Sequence, residues 1–315
     1  MAAGGDNGLL KVIGGQSNAD SNDKIGITSI GNQTLIGHSG RILRLAWNAT
    51  YRKLASADEH GLIIVWAFQQ KQLVQEMVNA SDHAPVGDLK WSHDGKQICI
   101  VYGDGTIVVG SVEGTRTWAR DLDASLKLVE WSPDDKNILF VTTDDIISVY
   151  DSAGNVVKEL NGDNGATDIV DLHWHHYSPT DRPDFAIAYS CGVVHISKGL
   201  QDGNLSNIDC GITIEACKWN PSGTILAVGG VNEVDPTQPS EVKFYDHHGV
   251  FLHCFKISST ERVFDIIWDR RGFKLLVACE SCIFFANIQP PTKWTTIGTT
   301  LIYSAEVRKS DCPAV

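Results

Sequence analysis

His173, His175 and His176 fall within four residues of one another, and His247 and His248 are adjacent. Histidines this close could hold a transition metal, which needs three or four ligands converging on one point. The HWHHY run (173–177) has the residues of a strand end, and a strand sends successive side chains to opposite faces. These histidines therefore read as a solvated strand end. Cys279 and Cys282 have the CxxC spacing of half a zinc site, but no second pair at matching spacing exists. Together with Cys99, Cys191, Cys210, Cys217, Cys254 and Cys312 they read as unpaired structural thiols in a reducing compartment. Acids paired at Asp134-Asp135 and Asp144-Asp145 could act as general acid and base, yet both pairs sit in turn sequences that explain them locally. The chain has no G-x-x-x-x-G-K-[ST], no G-x-S-x-G and no H-E-x-x-H. Gly103-Asp104-Gly105 lacks the third glycine of a dinucleotide fingerprint and sits in a hairpin. No catalytic residue, no cofactor and no metal is expected.

The elements that carry these residues repeat. Trp47, Trp91, Trp131, Trp174, Trp219 and Trp268 each close a short alternating apolar run and open a polar turn. Their separations are 44, 40, 43, 45 and 49 residues, close to the 40–45 of WD repeats. Six of the nine tryptophans share this register, which chance does not explain. After the turn (WSHDG, WSPDD, WNPSG) comes a second apolar run, such as QICIVY, NILFVT, TILAVGG or KLLVAC. A hairpin leads to a third run (TIVVGSV, IISVYD, EVKFYD, CIFFANI), and a more polar fourth strand closes the unit. Runs of five to seven β-branched and aromatic residues suit strands, and no segment sustains a helical period. Four-stranded units repeated radially are propeller blades. The expected fold is an all-β WD-repeat β-propeller of seven blades, the first incomplete. The second and third strands read as continuous apolar runs because neighbouring blades cover both faces. The register tryptophans are expected to fill the gaps between blades, a structural role.

Bulk properties narrow the function. The chain of 315 residues carries a formal charge of -12, with 43% hydrophobic residues. A nucleic-acid binder needs a surplus of Lys and Arg facing phosphates, so none is expected as a partner. The start, MAAGGDNGLLKVIGG, has no basic region followed by an apolar core, and no run of about 18 apolar residues occurs anywhere, so no direct membrane insertion is expected. The sequons at Asn32, Asn48, Asn79 and Asn204 read as chance matches, and the chain reads as cytoplasmic. A propeller enzyme such as a glycosidase would need acids or arginines around the central channel. No recurring acidic or Arg position is read inside the blades. A peptide-capturing adaptor would want basic and aromatic residues at equivalent loop positions, and Arg41, Arg44 and Arg116 do not share one.

GDNGLLKV, NQTLIGHSG, GLIIVW, KWSHDGKQICIVYGDGTIVVGSVEG, TILAVGG, EVKFYDHHG and IFFANIQPPTKW succeed one another along the chain. This succession resembles the first propeller of the WD repeat-containing protein 35 family, the WD-repeat subunits of intraflagellar transport complex A. The resemblance covers about residues 3 to 309. The Gly110-Ser111-Val112 and Phe284-Phe285-Ala286-Asn287 strands make it more specific than a generic repeat. The WD-repeat part of the long tubby-like protein, an adaptor of ubiquitin-ligase type, shares the Trp91–Gly95 turn and the Gly-Ser-Val strand. GLIIVW, QICIVY and FFANI favour the transport subunit. The resemblance implies a non-catalytic scaffold in retrograde ciliary transport, cilium assembly and import of ciliary membrane proteins. Its implied partners are the other complex-A subunits directly, and ciliary membrane cargo with its adaptors indirectly. It implies a place in the cytoplasm, cilium or flagellum, axoneme and basal body.

Within the best-formed unit, residues 37–66, Gly37-His38, Ser56 and Trp66 match the repeat family's hydrogen-bond network of His, Ser/Thr and Trp. The Asp that joins them reads as replaced by His60, with Asp58 and Glu59 nearby. One propeller is expected over 1–315: a partial first blade and loop at 1–33, six Trp-marked blades over 34–297, and a following strand or truncated tail at 298–315. The last blade is expected to take residues after 294 for its outer strand. Ala2–Gly5 reads as the end of a second strand, so the chain reads as beginning in mid-blade and as partial. Polar segments at 14–33, 175–184 and 231–241 are expected as loops open to partners.

Overall fold

The computed structural model of the chain describes residues 2–13, 32–80, 84–161, 168–175, 185–197, 205–232, 238–257, 262–288, 292–297 and 300–305. Most of the three polar segments named above lies outside these residues. Every regular element among the described residues is a β-strand. The chain divides into two compact units, 1–209 and 210–315.

The first unit holds five antiparallel sheets. β1 (Ala2–Gly4), β2 (Leu10–Val12) and β3 (Gln33–Leu35) form a three-stranded sheet. Four four-stranded sheets follow in chain order. They are β4 (Ile42–Asn48), β5 (Lys53–Asp58), β6 (Leu62–Gln69) and β7 (Gln72–Ala80); then β8 (Val86–Trp91), β9 (Gln97–Tyr102), β10 (Thr106–Ser111) and β11 (Arg116–Asp121). Next come β12 (Leu126–Trp131), β13 (Asn137–Thr142), β14 (Ile146–Asp151) and β15 (Val156–Asn161), and finally β16 (Ile169–Trp174), β17 (Phe185–Tyr189), β18 (Val193–Ser197) and β19 (Leu205–Asp209). The second unit holds the four-stranded sheet β20 (Ile212–Trp219), β21 (Ile225–Asn232), β22 (Glu241–Asp246) and β23 (Phe251–Lys256). It also holds the three-stranded sheet β24 (Val263–Trp268), β25 (Lys274–Cys279) and β26 (Ile283–Asn287), and the hairpin β27 (Thr292–Ile297) with β28 (Thr300–Ala305).

Each four-stranded sheet is a meander whose neighbours in space are neighbours in sequence, the connection that tight hairpins allow. One expectation is corrected here. Residues after 294 do not complete the β24–β26 sheet: 292–297 pairs with 300–305 in a hairpin of its own.

The turns explain why the register holds. After five of the six register tryptophans, Trp174 being the exception, the next residue caps the following turn with its side-chain oxygen. The Ser132 hydroxyl accepts the Asn137 N–H at 2.9 Å, Asn220 Oδ1 accepts from Thr224 at 2.9 Å, and Asp269 Oδ1 accepts from Lys274 at 2.7 Å. Ser, Asn and Asp do the same work because each carries an oxygen acceptor two or three bonds from Cα, within reach of the turn's N–H groups. Four residues past the Trp the backbone turns left-handed, at Gly95 (φ 75), Asp135 (φ 58), Gly223 (φ 67) and Gly272 (φ 72).

Packing follows the repeat. Second and third strands of one sheet face the first two strands of the next. Cys99, Val101, Ile107 and Val109 cluster with Leu126, Val129, Trp131, Ile138 and Phe140. Leu139, Val141, Ile147 and Val149 cluster with Ile169, Leu172, Trp174 and Phe185. In the second unit, Ala227, Val242 and Phe244 meet Val263, Ile266, Leu275 and Val277. Burying apolar surface on both faces of the middle strands supplies most of the driving force.

Candidate functional site

The register tryptophans sit at the C-terminal ends of first strands, and three make the same hydrogen bond. Trp91 Nε1 donates to the Ala46 carbonyl at 3.2 Å, Trp131 Nε1 to Lys90 at 3.1 Å and Trp268 Nε1 to Lys218 at 3.1 Å. Each acceptor is the residue before the preceding register Trp. The indole thus fills an apolar gap and ties two first strands together by its one donor. Trp131, Trp174 and Trp219 are buried, and Trp91 and Trp268 are partly buried. Trp47 departs from the expectation of a gap-filler, being 47% exposed.

His38, Ser56 and Trp66 come together in the interior. His38 Nε2 lies 2.7 Å from Ser56 Oγ, and Trp66 Nε1 donates to the same oxygen at 2.9 Å. The fourth member is Asp58, whose Oδ2 lies 3.0 Å from His38 Nδ1, so the reading of His60 in that place is corrected. The reason is strand periodicity: Ser56 and Asp58 are two apart on β5 and share a face, whereas His60 lies beyond the strand in the turn. Asp58 Oδ1 also accepts the His60 and Leu62 N–H groups at 3.0 and 3.1 Å, fastening that turn. His38 thus bridges the Asp58 carboxylate through Nδ1 and Ser56 Oγ through Nε2, and the Ser56 hydroxyl also donates to the Ile64 carbonyl at 3.3 Å. Asp, His and Ser are connected as in a nucleophile triad. Ser56, however, is 0% exposed and its oxygen is held by Trp66, so no acyl group can reach it.

A second polar set lines the first strands. At each, the pairing with the second strand slips just before the third residue ahead of the Trp: between Ile42 and Arg44, Val86 and Asp88, Leu126 and Leu128, Ile169 and Asp171, Ile214 and Ala216, and Val263 and Asp265. Such bulges re-aim side chains. Asp88, Asp171 and Asp265 recur at this position, which corrects the reading that no acidic position recurs. Each carboxylate accepts the N–H of the next residue, at 2.9, 2.9 and 2.8 Å. GDLKW, VDLHW and FDIIW carry this signal in the sequence, but an alignment on the Trp alone hides it among Arg44, Leu128 and Ala216. Asp88 also accepts the Val129 N–H at 3.2 Å, joining β8 to β12, and faces Arg44 Nε at 3.5 Å. Lys90 Nζ lies 3.5 Å from Glu130 Oε2 across the same two strands. Asp88, Lys90, Glu130 and Asp171 border a cavity of ≈ 10 Å³ in the first unit. That space suits one water molecule, far below the several hundred Å³ of a small-molecule site. Its carboxylates are matched by backbone N–H groups and cations, an arrangement that holds strands in place. Among the described residues, no group of three or more His, Cys, Asp or Glu could hold a metal ion.

Residues 1–289 match the family model described as WDR35/TULP4 N-terminal. The chain belongs to this family. Human WD repeat-containing protein 35 is 35% identical over 320 residues, covering 96% of this chain and 27% of the human protein. Mouse Tubby-related protein 4 is 27% identical over 301 residues, covering 82% of this chain and 19% of the mouse protein. The chain thus spans about a quarter or less of the length of these relatives. Its fold is a seven-bladed WD-type β-propeller. The β-propeller domain of Myceliophteria thermophila Cps50 (Swd1) superposes with a TM-score of 0.70 at 14% identity, over 91% of this chain and 92% of that one. The C-terminal WD40 domain of Sif2 gives a TM-score of 0.62 at 19% identity, over 91% and 77%. Membership makes this a WD-repeat scaffold protein, and no helix among the described residues is long and apolar enough to cross a membrane.

Proposed function

We propose that this chain is a non-catalytic scaffold and adaptor propeller of intraflagellar transport complex A. It acts in retrograde ciliary transport, cilium assembly and ciliary membrane-protein import. The observation that carries this reading is the family match over 1–289 together with 35% identity to human WD repeat-containing protein 35. The interior supports a binding role over turnover. The tetrad serine is sealed, and the cavity bordered by Asp88, Lys90, Glu130 and Asp171 is too small for a substrate. The whole of 1–315 then serves as one repeat domain with 34–297 as its Trp-marked blades. Its partners are the other complex-A subunits, with membrane cargo reached through them, and its place is the cytoplasm and the cilium with its axoneme and basal body.

Affinity purification of the tagged protein from ciliated cells tests this. Recovery of the other complex-A subunits in stoichiometric amount is the expected result. Recovery of a ubiquitin-ligase assembly with no complex-A subunit overturns it in favour of the tubby-type reading, which the 27% identity to Tubby-related protein 4 keeps as the second candidate.

A further inference from the structure

Among the motifs that the scaffold reading leaves unused, one pair of nucleophiles is held in register. Ala278 and Ile283 are the last paired residues of the β25–β26 hairpin. One step further along, Cys279 and Cys282 face each other across Glu280-Ser281, and the Cys279 N–H donates to the Cys282 carbonyl at 2.9 Å. Residues directly opposed in an antiparallel pair send their side chains to one face. Their Cα atoms stand about 5.5 Å apart, inside the 4.4–6.8 Å that a disulfide spans. Their Cβ atoms, about 4.5–5.5 Å apart, must close by roughly 1 Å to reach disulfide geometry. The bond can therefore form but is strained, and strained disulfides are the readily reduced ones. Other strand cysteines lack such a neighbour: Cys99 is paired with Val109, Cys217 with Val228 and Cys254 with Lys243. Burial raises the Cys99 thiol well above its ordinary range, and burial with the Glu241 carboxylate raises Cys254.

We propose that Cys279 and Cys282 form a reversible dithiol–disulfide site, closed by exchange with a small disulfide of the glutathione class. Cys282 is the more accessible of the two, while Cys279 is 8% exposed and packs with Val263, Leu275 and Val277. The Cys282 thiolate attacks a sulfur of the small disulfide, forming a mixed disulfide and releasing one thiolate. Cys279 then gives up its proton and attacks the Cys282 sulfur, expelling the second thiolate. Two protein thiols are oxidised and one small disulfide is reduced to two thiols, so electrons and protons balance. Closure adds a covalent tie to a sheet that has three strands among the described residues.

The 315-residue chain is equilibrated with mixtures of reduced and oxidised glutathione, acid-quenched, alkylated and digested with trypsin. Residues 275–293 emerge as one peptide containing Cys279 and Cys282 and no other cysteine. The expected result is loss of both alkylation sites as the oxidised form is raised, with the peptide two hydrogens lighter, and full return on adding reduced glutathione. Cys279→Ser should stop at the mixed disulfide on Cys282, and Cys282→Ser should leave Cys279 alkylatable. A peptide alkylated twice at every ratio, a mixed disulfide that persists in the unsubstituted chain, or a bond from either residue to another cysteine overturns the proposal.

Discussion

The sheets β4–β7 and β12–β15 have the same register and are held together by different means. In β12–β15 the register residue Trp131 is 1% exposed and bonded to Lys90, and the sheet centre is apolar: Phe140 and Tyr150 meet edge to face at 5.2 Å. In β4–β7 the register residue Trp47 is half exposed, and the positions matching Phe140 and Tyr150 are Ser56 and Trp66, joined by hydrogen bonds to His38 and Asp58. The difference lies in what each sheet has beside it. Trp131 packs against β8–β11, whose first strand β8 supplies a carbonyl acceptor. The three-stranded β1–β3 sheet places no such strand, among the described residues, beside Trp47. A repeat position fixes where a side chain sits on its strand, whereas its burial depends on the neighbouring sheet. Where that neighbour contributes less, the sheet is tied internally by a polar network.

The largest effect should separate the two tryptophans. Trp131→Ala leaves a cavity and an orphaned Lys90 carbonyl, so it should destabilise by about 3–5 kcal/mol. Trp47→Ala removes a ring already half in water and should cost about 1 kcal/mol. Urea unfolding of both variants checks this, and equal losses would show that register alone governs the contribution.

How far this contrast was legible in the sequence depends on the residue. The period, the four-strand unit and the turns were readable because they rest on local chemistry: a side-chain oxygen after five of the six register Trp residues and left-handed backbone four residues on from Trp91, Trp131, Trp219 and Trp268. His38, Ser56 and Trp66 were readable from family resemblance, but Asp58 was passed over for His60 because both lie an even number of residues from Ser56 and the sequence does not mark that the strand ends at Asp58. The Asp88, Asp171 and Asp265 series was hidden because the same position elsewhere holds Arg44, Leu128 and Ala216, so the bulge, not the residue type, is what repeats. The exposure of Trp47 was not legible at all, since its sequence setting equals that of Trp131.

The next effect tests whether the polar network replaces the missing seam. Ser56→Ala keeps the volume nearly unchanged but leaves the Trp66 N–H and the His38 Nε2 without their shared partner in a sealed interior. Each buried group left unsatisfied costs about 1–3 kcal/mol. The variant should lose roughly 2–4 kcal/mol in urea unfolding. Phe140→Leu, a change of packing without polar atoms at the equivalent position, should cost about 1–2 kcal/mol. If Ser56→Ala proved as mild as a surface change, the network would not be what holds β4–β7 together.

The smallest effect distinguishes the sheets by acid. The β12–β13 turn uses Asp134, while the corresponding β4–β5 turn is capped by the non-titrating Asn48, whose Oδ1 accepts the Tyr51 N–H at 3.0 Å. Burial opposes ionisation of Asp134, but hydrogen bonds from Ser132 and Lys136 and the Lys136 charge outweigh it and lower the carboxyl pKa from 3.8. Asp145 behaves alike: burial works against the charge, and Lys127 with the Ile169 and Asp168 N–H groups lowers it. A carboxylate whose folded pKa lies below its unfolded value stabilises the fold fully above the unfolded value. That contribution disappears as pH falls from 3.8 through the lower folded value. Both groups are partly exposed, so screening holds each contribution to ~0.5 kcal/mol or less. Asp134→Asn with Asp145→Asn should therefore lower the thermal midpoint slightly at neutral pH, and the gap to the unsubstituted chain should close in strong acid. Asn48→Ala should instead give a deficit that does not change with pH, because no proton is exchanged at that turn. Thermal unfolding followed across the acid range reads both, and a gap for the aspartate variant that stayed constant into strong acid would show that those turns are held by geometry and not by charge.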